Sequence, residues 1–458
     1  VERTGFSRSF HLVAQWFPKL ARREANGGWA HFPFHPHAEF YADFGDYDVT
    51  LDVDKAYTVG ATGKRVEARD AGARRIVRYR ASGVVDFAWT AWDEFETRER
   101  TIDGVHVELL TPRGLGPAEA ASWDGVDHGF DSLNRHFGRY PYPTLTVVYP
   151  PRFASAAGGM EYPTFITTGG STLLQRLGFR LVEQVTVHEL GHQWFQSMVA
   201  TNEAEYPFLD EGLNSYAEWT ALEDAYGAGS IFEKLGLSVS IEAVGRWGGL
   251  AYGQDEAISE RAAEFTNMRA LGGIVYTRTA LSMSTIAGVY GKDKLRHALG
   301  VYAARYRFLH PTPRELLDVV RAEVSPAAER ELSKMLFERG FVDYAVRDLD
   351  SRSMGQGRFK SRAVLTRHGN LTLPVKVRFA LSDGSSVDRA WNGEDSATVI
   401  ELEHGAPLAG VTVDPERRVA LDENRLNDAR LFTPRTSSLR VSERATYVTQ
   451  LLFHLLGP

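Results

Sequence analysis

The spacing of apolar residues changes twice along this chain, and that double change restricts its fold more than any other feature. Over roughly the first hundred residues, runs such as AEFYADFGDYDVTLDV and ARRIVRYRASGVVDFAWTAW carry aromatic and β-branched residues broken by Gly and Asp, and they read as strands. From about residue 116 the spacing becomes helical, as in AEAASWDGVDHGFDSLNRHFG, interrupted by two short strands in TLTVVYPP and TFITTG. Helices dominate to about 348. The polar stretch RDLDSRSMGQGRFKSR then lacks any period and predicts a linker. Short strands return in LPVKVRFAL, SVDRAW, ATVIELE and AGVTVDP. A chain of 458 residues is too long for a single core. The expected fold is therefore multidomain α+β. It comprises a β-domain over 1–100, a mostly helical domain over 101–350, a small β-sandwich over 360–425, and a tail over 426–458 whose apolar YVTQLLFHLLGP packs as a terminal helix.

Composition narrows the chemistry. A net charge of −7 and a pI near 6.1, with no basic run, argue against nucleic acid as a partner. No apolar stretch reaches the ~20 residues that a membrane-spanning helix needs. Cysteine is absent, which excludes disulfides, thiolate metal sites and cysteine nucleophiles together, so any metal must be held by His and carboxylate. Only nine of the 52 basic residues are lysine, a bias that suggests a GC-rich bacterial genome, with cytoplasm and periplasm equally open.

VHELGHQW, residues 187–194, supplies such ligands. On a helix, residues four apart share a face with Cβ atoms ~5–6 Å apart, so His188 and His192 can aim two imidazoles at one cation. Leu181, Val185, His188, His192 and Phe195 form one stripe, which predicts that the pair faces inward. A catalytic zinc site wants a third protein ligand and one position left for water. Glu211 follows His192 after 18 intervening residues, enough for a turn and a second, antiparallel helix. Glu218, on the same face of that helix, is expected to accept a hydrogen bond from a ligating histidine and fix its tautomer. A competing metal candidate is HFPFHPHAEF, with His31, His35, His37 and Glu39, but Pro36 breaks any helical spacing there.

H-E-x-x-H, eighteen residues, then Glu resembles the signature of the gluzincin aminopeptidases, family M-one. GGMEY at 158–162 resembles the family's G-x-M-E-N, with Tyr162 in place of Asn, and VYTRTALSM places Tyr276 in a Y-x-K-G-like setting where Arg278 and Thr279 replace Lys and Gly. QWFPKL and GDYDVTLDV also look like family segments, so the resemblance runs over nearly the whole chain. It implies a partial saddle-like N-terminal sheet, a thermolysin-like catalytic domain and one Zn2+ on His188, His192 and Glu211. It further implies Glu189 as general base and acid, and Tyr276 as the phenol that stabilises the developing oxyanion. Glu161 would pair with the free α-amine of a peptide substrate, Gly158, Gly159 and Met160 would offer a backbone edge to it, and Gln15 in VAQWFPKL would add a polar contact. The function so implied is removal of N-terminal residues from oligopeptides. A thermolysin-like endopeptidase and a catalytically silent peptide-binding subunit are the alternatives. The N-terminal β-domain is shorter than the family's, which leaves sheet edges to be completed by a missing segment or another chain.

Overall fold

The computed structural model describes residues 3–24, 27–33, 35–36, 38, 41–234, 236–252, 256–432 and 446–447. They divide into two compact units, 1–340 and 341–458.

The first unit begins with strands β1 (Gly5–Ser7), β2 (Phe10–Val13), β3 (Gly45–Asp54), β4 (Thr58–Ala61), β5 (Lys64–Ala71), β6 (Arg74–Val84) and β7 (Trp89–Trp92). They form two antiparallel sheets, ordered β1-β2-β7-β4 and β3-β6-β5. Strands β8 (Phe95–Ile102), β9 (Val105–Pro112), β10 (Thr144–Val148) and β11 (Phe165–Thr167) make a third sheet, antiparallel at its β8 edge and parallel from β9 to β11. Strands β9 to β11 carry apolar residues on both faces, with Val107, Leu109, Leu110, Leu145, Val147, Val148, Phe165 and Ile166 buried, as a parallel sheet covered on both sides requires. One core binds these layers together: Phe10 and Leu12, Trp92 and Phe95, Leu110, Val148 and Phe165 pack with Met160 and Tyr162. The Gly-Gly-Met-Glu segment is thus anchored in the core between two sheets.

The helices follow: α1 (Pro117–Phe137), α2 (Thr172–Leu177), α3 (Leu181–Gly191), α4 (Glu211–Tyr226), α5 (Ile241–Ala251), α6 (Met268–Leu271), α7 (Thr279–Tyr290), α8 (Lys292–Arg305), α9 (Pro313–Glu323) and α10 (Pro326–Phe337). A small hairpin, β12 (Phe232–Lys234) with β13 (Leu237–Val239), precedes α5. Between α6 and α7 the chain widens into a π-helix, Gly272–Arg278. Helix α3 is enclosed on nearly every side, with Val182, Glu183, Thr186, Val187, Glu189, Leu190 and Gly191 buried. The expected single inward stripe is corrected accordingly: Leu181 and Val185 are only half-buried, because α1, α4 and strand β11 surround this helix.

The second unit stacks a three-stranded antiparallel sheet, β14 (Val342–Gly355), β15 (Arg358–Gly369) and β18 (Ala397–His404), with a four-stranded one, β16 (Val375–Leu381), β17 (Ser386–Trp391), β19 (Leu408–Val413) and β20 (Ala429–Leu431). Tyr344 and Trp391 meet edge to face, ring centres 5.4 Å apart, and join the two sheets. The expected linker at 347–362 is instead the far half of the β14–β15 hairpin. Register shifts at Val346/Asp348 and Ser353/Gly355 break its alternation, and Ser353–Arg358 are exposed, so no period-two pattern is visible in that stretch. Part of the predicted tail is likewise strand β20. The terminal helix expected in YVTQLLFHLLGP lies, apart from an exposed Tyr447, outside the described residues.

Candidate metal centre

Helices α3 and α4 face each other and present three ligand atoms to one point. His188 Nε2, His192 Nε2 and Glu211 Oε2 form a triangle whose three sides are each 3.1 Å. A tetrahedral ion with bonds of ~2.0–2.1 Å separates its ligand atoms by about 3.3 Å, so the triangle fits a zinc-sized cation. The other ring nitrogens fix the tautomers. His188 Nδ1 donates to Glu218 Oε2 at 2.9 Å, and His192 Nδ1 donates to Asp210 Oδ1 at 2.6 Å. Ionised carboxylates only accept, so both Nδ1 atoms carry hydrogen and both Nε2 atoms converge on the centre, where each would offer its lone pair to a cation. His188 is further held through its backbone carbonyl, which accepts from Asn214 Nδ2 at 2.8 Å.

The electrostatics match an anionic pocket that wants a cation. Burial works against charge on His188, but hydrogen bonds to Glu211 and Glu218 outweigh it and push the imidazole up to about 10. His192 is driven up in the same way, against its burial, by Asp210 and Glu211. Burial would raise Glu211, yet the two histidines hold it well below the usual carboxylate range. In the metal-free protein the pocket holds protons that a bound cation would displace.

Two more carboxylates take no part in the triangle. Glu189 is buried and pushed up to about 8, first by burial and further by Glu161 and Glu211, with the histidines opposing. Its Oε2 has no hydrogen-bond partner among the described residues. Glu161, also buried, ends the segment that pairs along β11: Gly159 N and Met160 N donate to Thr167 O, and Thr167 N donates to Met160 O. At Gly159 φ is +80°, and a Cβ built there would lie 3.7 Å from Glu189 Oε1, so the chain crosses directly over that carboxylate. Gln193 joins the two parts, donating to the carbonyls of Glu161 and Tyr162 and accepting from Thr164 N.

Tyr276 arrives from the π-helix and donates to Glu211 Oε1 at 2.5 Å, its ring stacked on His188 at 5.8 Å. The wider π turn and Gly212 make this approach possible. A side chain at 212 would begin 2.5 Å from Thr279 and 2.7 Å from Val275 O. Gln15 lines a small cavity together with Glu161, so the structure brings it to the site. The same cavity is walled by Lys19, Asp86, Gln196 and Glu203. Asp86, Gln196, Glu203 and Asp210 were not identifiable from spacing. Asp210 alone had a local signal, adjacent to Glu211. The competing histidines do not assemble: His31 is exposed with Nδ1 3.1 Å from Trp29 O, His37 and Glu39 lie outside the described residues, and among the described residues no group of metal-ligating side chains includes His31 or His35. No helix of the described residues is long and apolar enough to cross a membrane.

Residues 124–338 match the model of the peptidase family M1 domain, a span holding the triangle, Glu189, Glu161 and Tyr276. The chain is 22% identical over 329 residues to aminopeptidase M1 of Arabidopsis thaliana, covering 69% of this chain and 36% of that protein. The chain thus spans about a third of the length of the curated relatives it matches. Its fold is similar to Legionella pneumophila aminopeptidase A, solved in complex with aspartic acid, with a TM-score of 0.67 at 14% identity over 92% of this chain and 48% of that one. An M1 zinc metallopeptidase from Deinococcus radiodurans gives a TM-score of 0.52 at 18% identity, covering 65% of each chain. With the family's domain model lying across both site helices and the strand edge beside them, this chain carries a peptidase family M1 domain over residues 124–338.

Proposed function

We propose that this chain is a zinc-dependent aminopeptidase that hydrolyses the first peptide bond of oligopeptides with a free N-terminus. The observation that supports it best is one buried site in which a 3.1 Å donor triangle stands beside two carboxylates that form no part of it, Glu189 and Glu161. His188, His192 and Glu211 would hold the zinc, which when bound polarises a carbonyl and lowers the pKa of its water to ~7.

Glu189 takes the proton from the attacking water and returns it to the leaving amine. A carboxyl pushed towards neutrality by burial is suited to both transfers near pH 7. Tyr276 donates its phenolic hydrogen to the carbonyl oxygen as charge builds there. Glu218 and Asp210 hold the two imidazoles in their donor tautomers. Glu161 pairs with the substrate's α-ammonium, so a blocked N-terminus would leave that carboxylate desolvated without its counter-charge. The Gly158–Met160 backbone offers an edge for an extended peptide, and Gln15 a further polar contact.

The test compares wild type with Glu189→Gln for zinc content and for hydrolysis of aminoacyl-naphthylamides and their N-acetyl forms. One zinc in both proteins, turnover in wild type alone and none on acetylated substrates is the expected result. Equal turnover of acetylated substrates would sink the exopeptidase reading, and absence of zinc would sink the mechanism.

A further inference from the structure

The cavity beside Glu161 carries more negative charge than one carboxylate supplies. One oxygen each of Glu161, Glu203 and Asp210 lie within 4.8 Å of one another, and all three residues are buried, with 8%, 3% and 0% exposure. Asp210 spends Oδ1 on His192, and its Oδ2, fully buried, has no hydrogen-bond partner among the described residues. Carboxylates gathered so closely away from water need positive charge beside them, and Lys19 on the cavity wall is one cation facing Asp86 as well as Glu161 and Glu203.

The walls are held at a conformational cost. Gln196 has φ +132° and Gln15 φ +55°, both in regions that side chains rarely adopt, and both line this cavity. Such strain persists where the surrounding structure overrides it, which is characteristic of ligand-holding positions. Asp86 fixes the opposite wall, accepting from Gln15 Nε2 at 2.5 Å and pairing with Lys19 Nζ at 2.7 Å. Glu203 itself sits on a pinned loop. Arg261 bonds its neighbour Glu205, and Ala262 N donates to Ala204 O, so the loop holds the Glu203 carboxylate inside.

We propose that Glu203 is a second anchor for the substrate's α-ammonium, acting with Glu161 across this cavity. The proposal rests on the aminopeptidase reading and extends it. An ammonium has three N–H donors, and two carboxylates plus an amide oxygen from Gln15 or Gln196 can accept them all. A hard divalent cation would want six or more oxygens around it, whereas an ammonium is satisfied by three acceptors. Glu203 is thus a positioning residue that sets the register of the peptide before any bond is broken.

The experiment measures inhibition of zinc-loaded wild type, Glu203→Gln and Glu161→Gln by leucine hydroxamate and by its counterpart lacking the α-amine. Both compounds present the same metal-binding group, so the ratio of their inhibition constants isolates the amine. In Glu203→Gln the amine compound should weaken about 10-fold or more, while the desamino compound stays within a factor of about two. If the two compounds weaken together, or if Glu203→Gln keeps the wild-type ratio while Glu161→Gln loses it, Glu203 is no anchor. If neither variant changes the ratio, the amine-binding reading of Glu161 fails with it. Should Glu203→Gln not fold, Glu203→Asp must weaken the amine compound selectively; parallel weakening would overturn the proposal. Stoichiometric Mn2+ binding that depends on Glu203 and is indifferent to the hydroxamate's amine would overturn it too.

Discussion

Glu189 in the first unit and Asp428 in the second are alike in one respect: burial pushes each carboxyl up to about 8. Their surroundings differ in kind. Asp428 sits with Asp414, Asp422 and Asp343, whose oxygens are turned to the chain itself. Asp414 accepts from Arg418 N and Val419 N, Asp422 from Tyr344 N and Asn424 N, and Asp343 from Asn427 Nδ2. These carboxylates cap turns and strand ends of the sandwich. Around Glu189 the acids cap nothing. Glu218 and Asp210 orient histidines, Glu211 turns to the centre, and Glu161 lines a cavity. A raised pKa therefore marks burial in both places, and only the direction in which the neighbouring groups point separates the candidate site from a structural cluster.

Exchanging each member of the pair for its amide tests that distinction most severely. Glu189→Gln should lower kcat by roughly 10²–10⁴-fold with zinc retained, whereas Asp428→Asn should leave kcat unchanged. A comparable loss from Asp428→Asn would erase the contrast. Tyr276→Phe comes next, with a fall in kcat of about 100-fold and little change in zinc content. Glu218→Gln and Asp210→Asn should each weaken zinc binding by roughly 10–100-fold, read by competition with a chelator; no acid of the Asp428 group should do so. The smallest effect belongs to Asp428 itself. Its folded pKa lies above the unfolded value of about 3.9, so the fold favours the neutral carboxyl. That contribution is complete below about pH 4 and is lost as pH rises through about 8. Asp428→Asn keeps a neutral group throughout, so its melting temperature should match wild type at pH 4 and exceed it at pH 9. Parallel curves would remove Asp428 as the counterpart of Glu189.

Much of the centre was legible in the sequence because it rests on local spacing. His188 and His192 are one helical turn apart, and Glu211 opens the next long helix. The rest depends on how loops return. Glu203 and Gln196 lie in the connection between α3 and α4, where no period constrains a side chain's direction, and Asp86 reaches the site from the end of a distant strand. The helical segments were readable for the same local reason, whereas the β14–β15 hairpin was not, since two bulges and a solvated tip remove the alternation that identifies strands. GGIVYTR likewise hides its π turn, because one widened turn leaves no mark on a seven-residue pattern.

The hydrogen bond from Tyr276 to Glu211 has a consequence for how much the phenol contributes. One oxygen of Glu211 is occupied by Tyr276, and only the other faces the histidines. In the proposed mechanism a phenol turning to a developing oxyanion must release a partner it already has. Catalysis by that mechanism would exchange one acceptor for another, so the net gain would be the difference between two strong bonds, and the loss on removing the hydroxyl should fall at the low end of the range for such donors. Glu211, released at that moment, would regain a free oxygen just as charge at the centre rises, and the tyrosine would thereby couple the grip of the ligand set to progress of the proposed reaction.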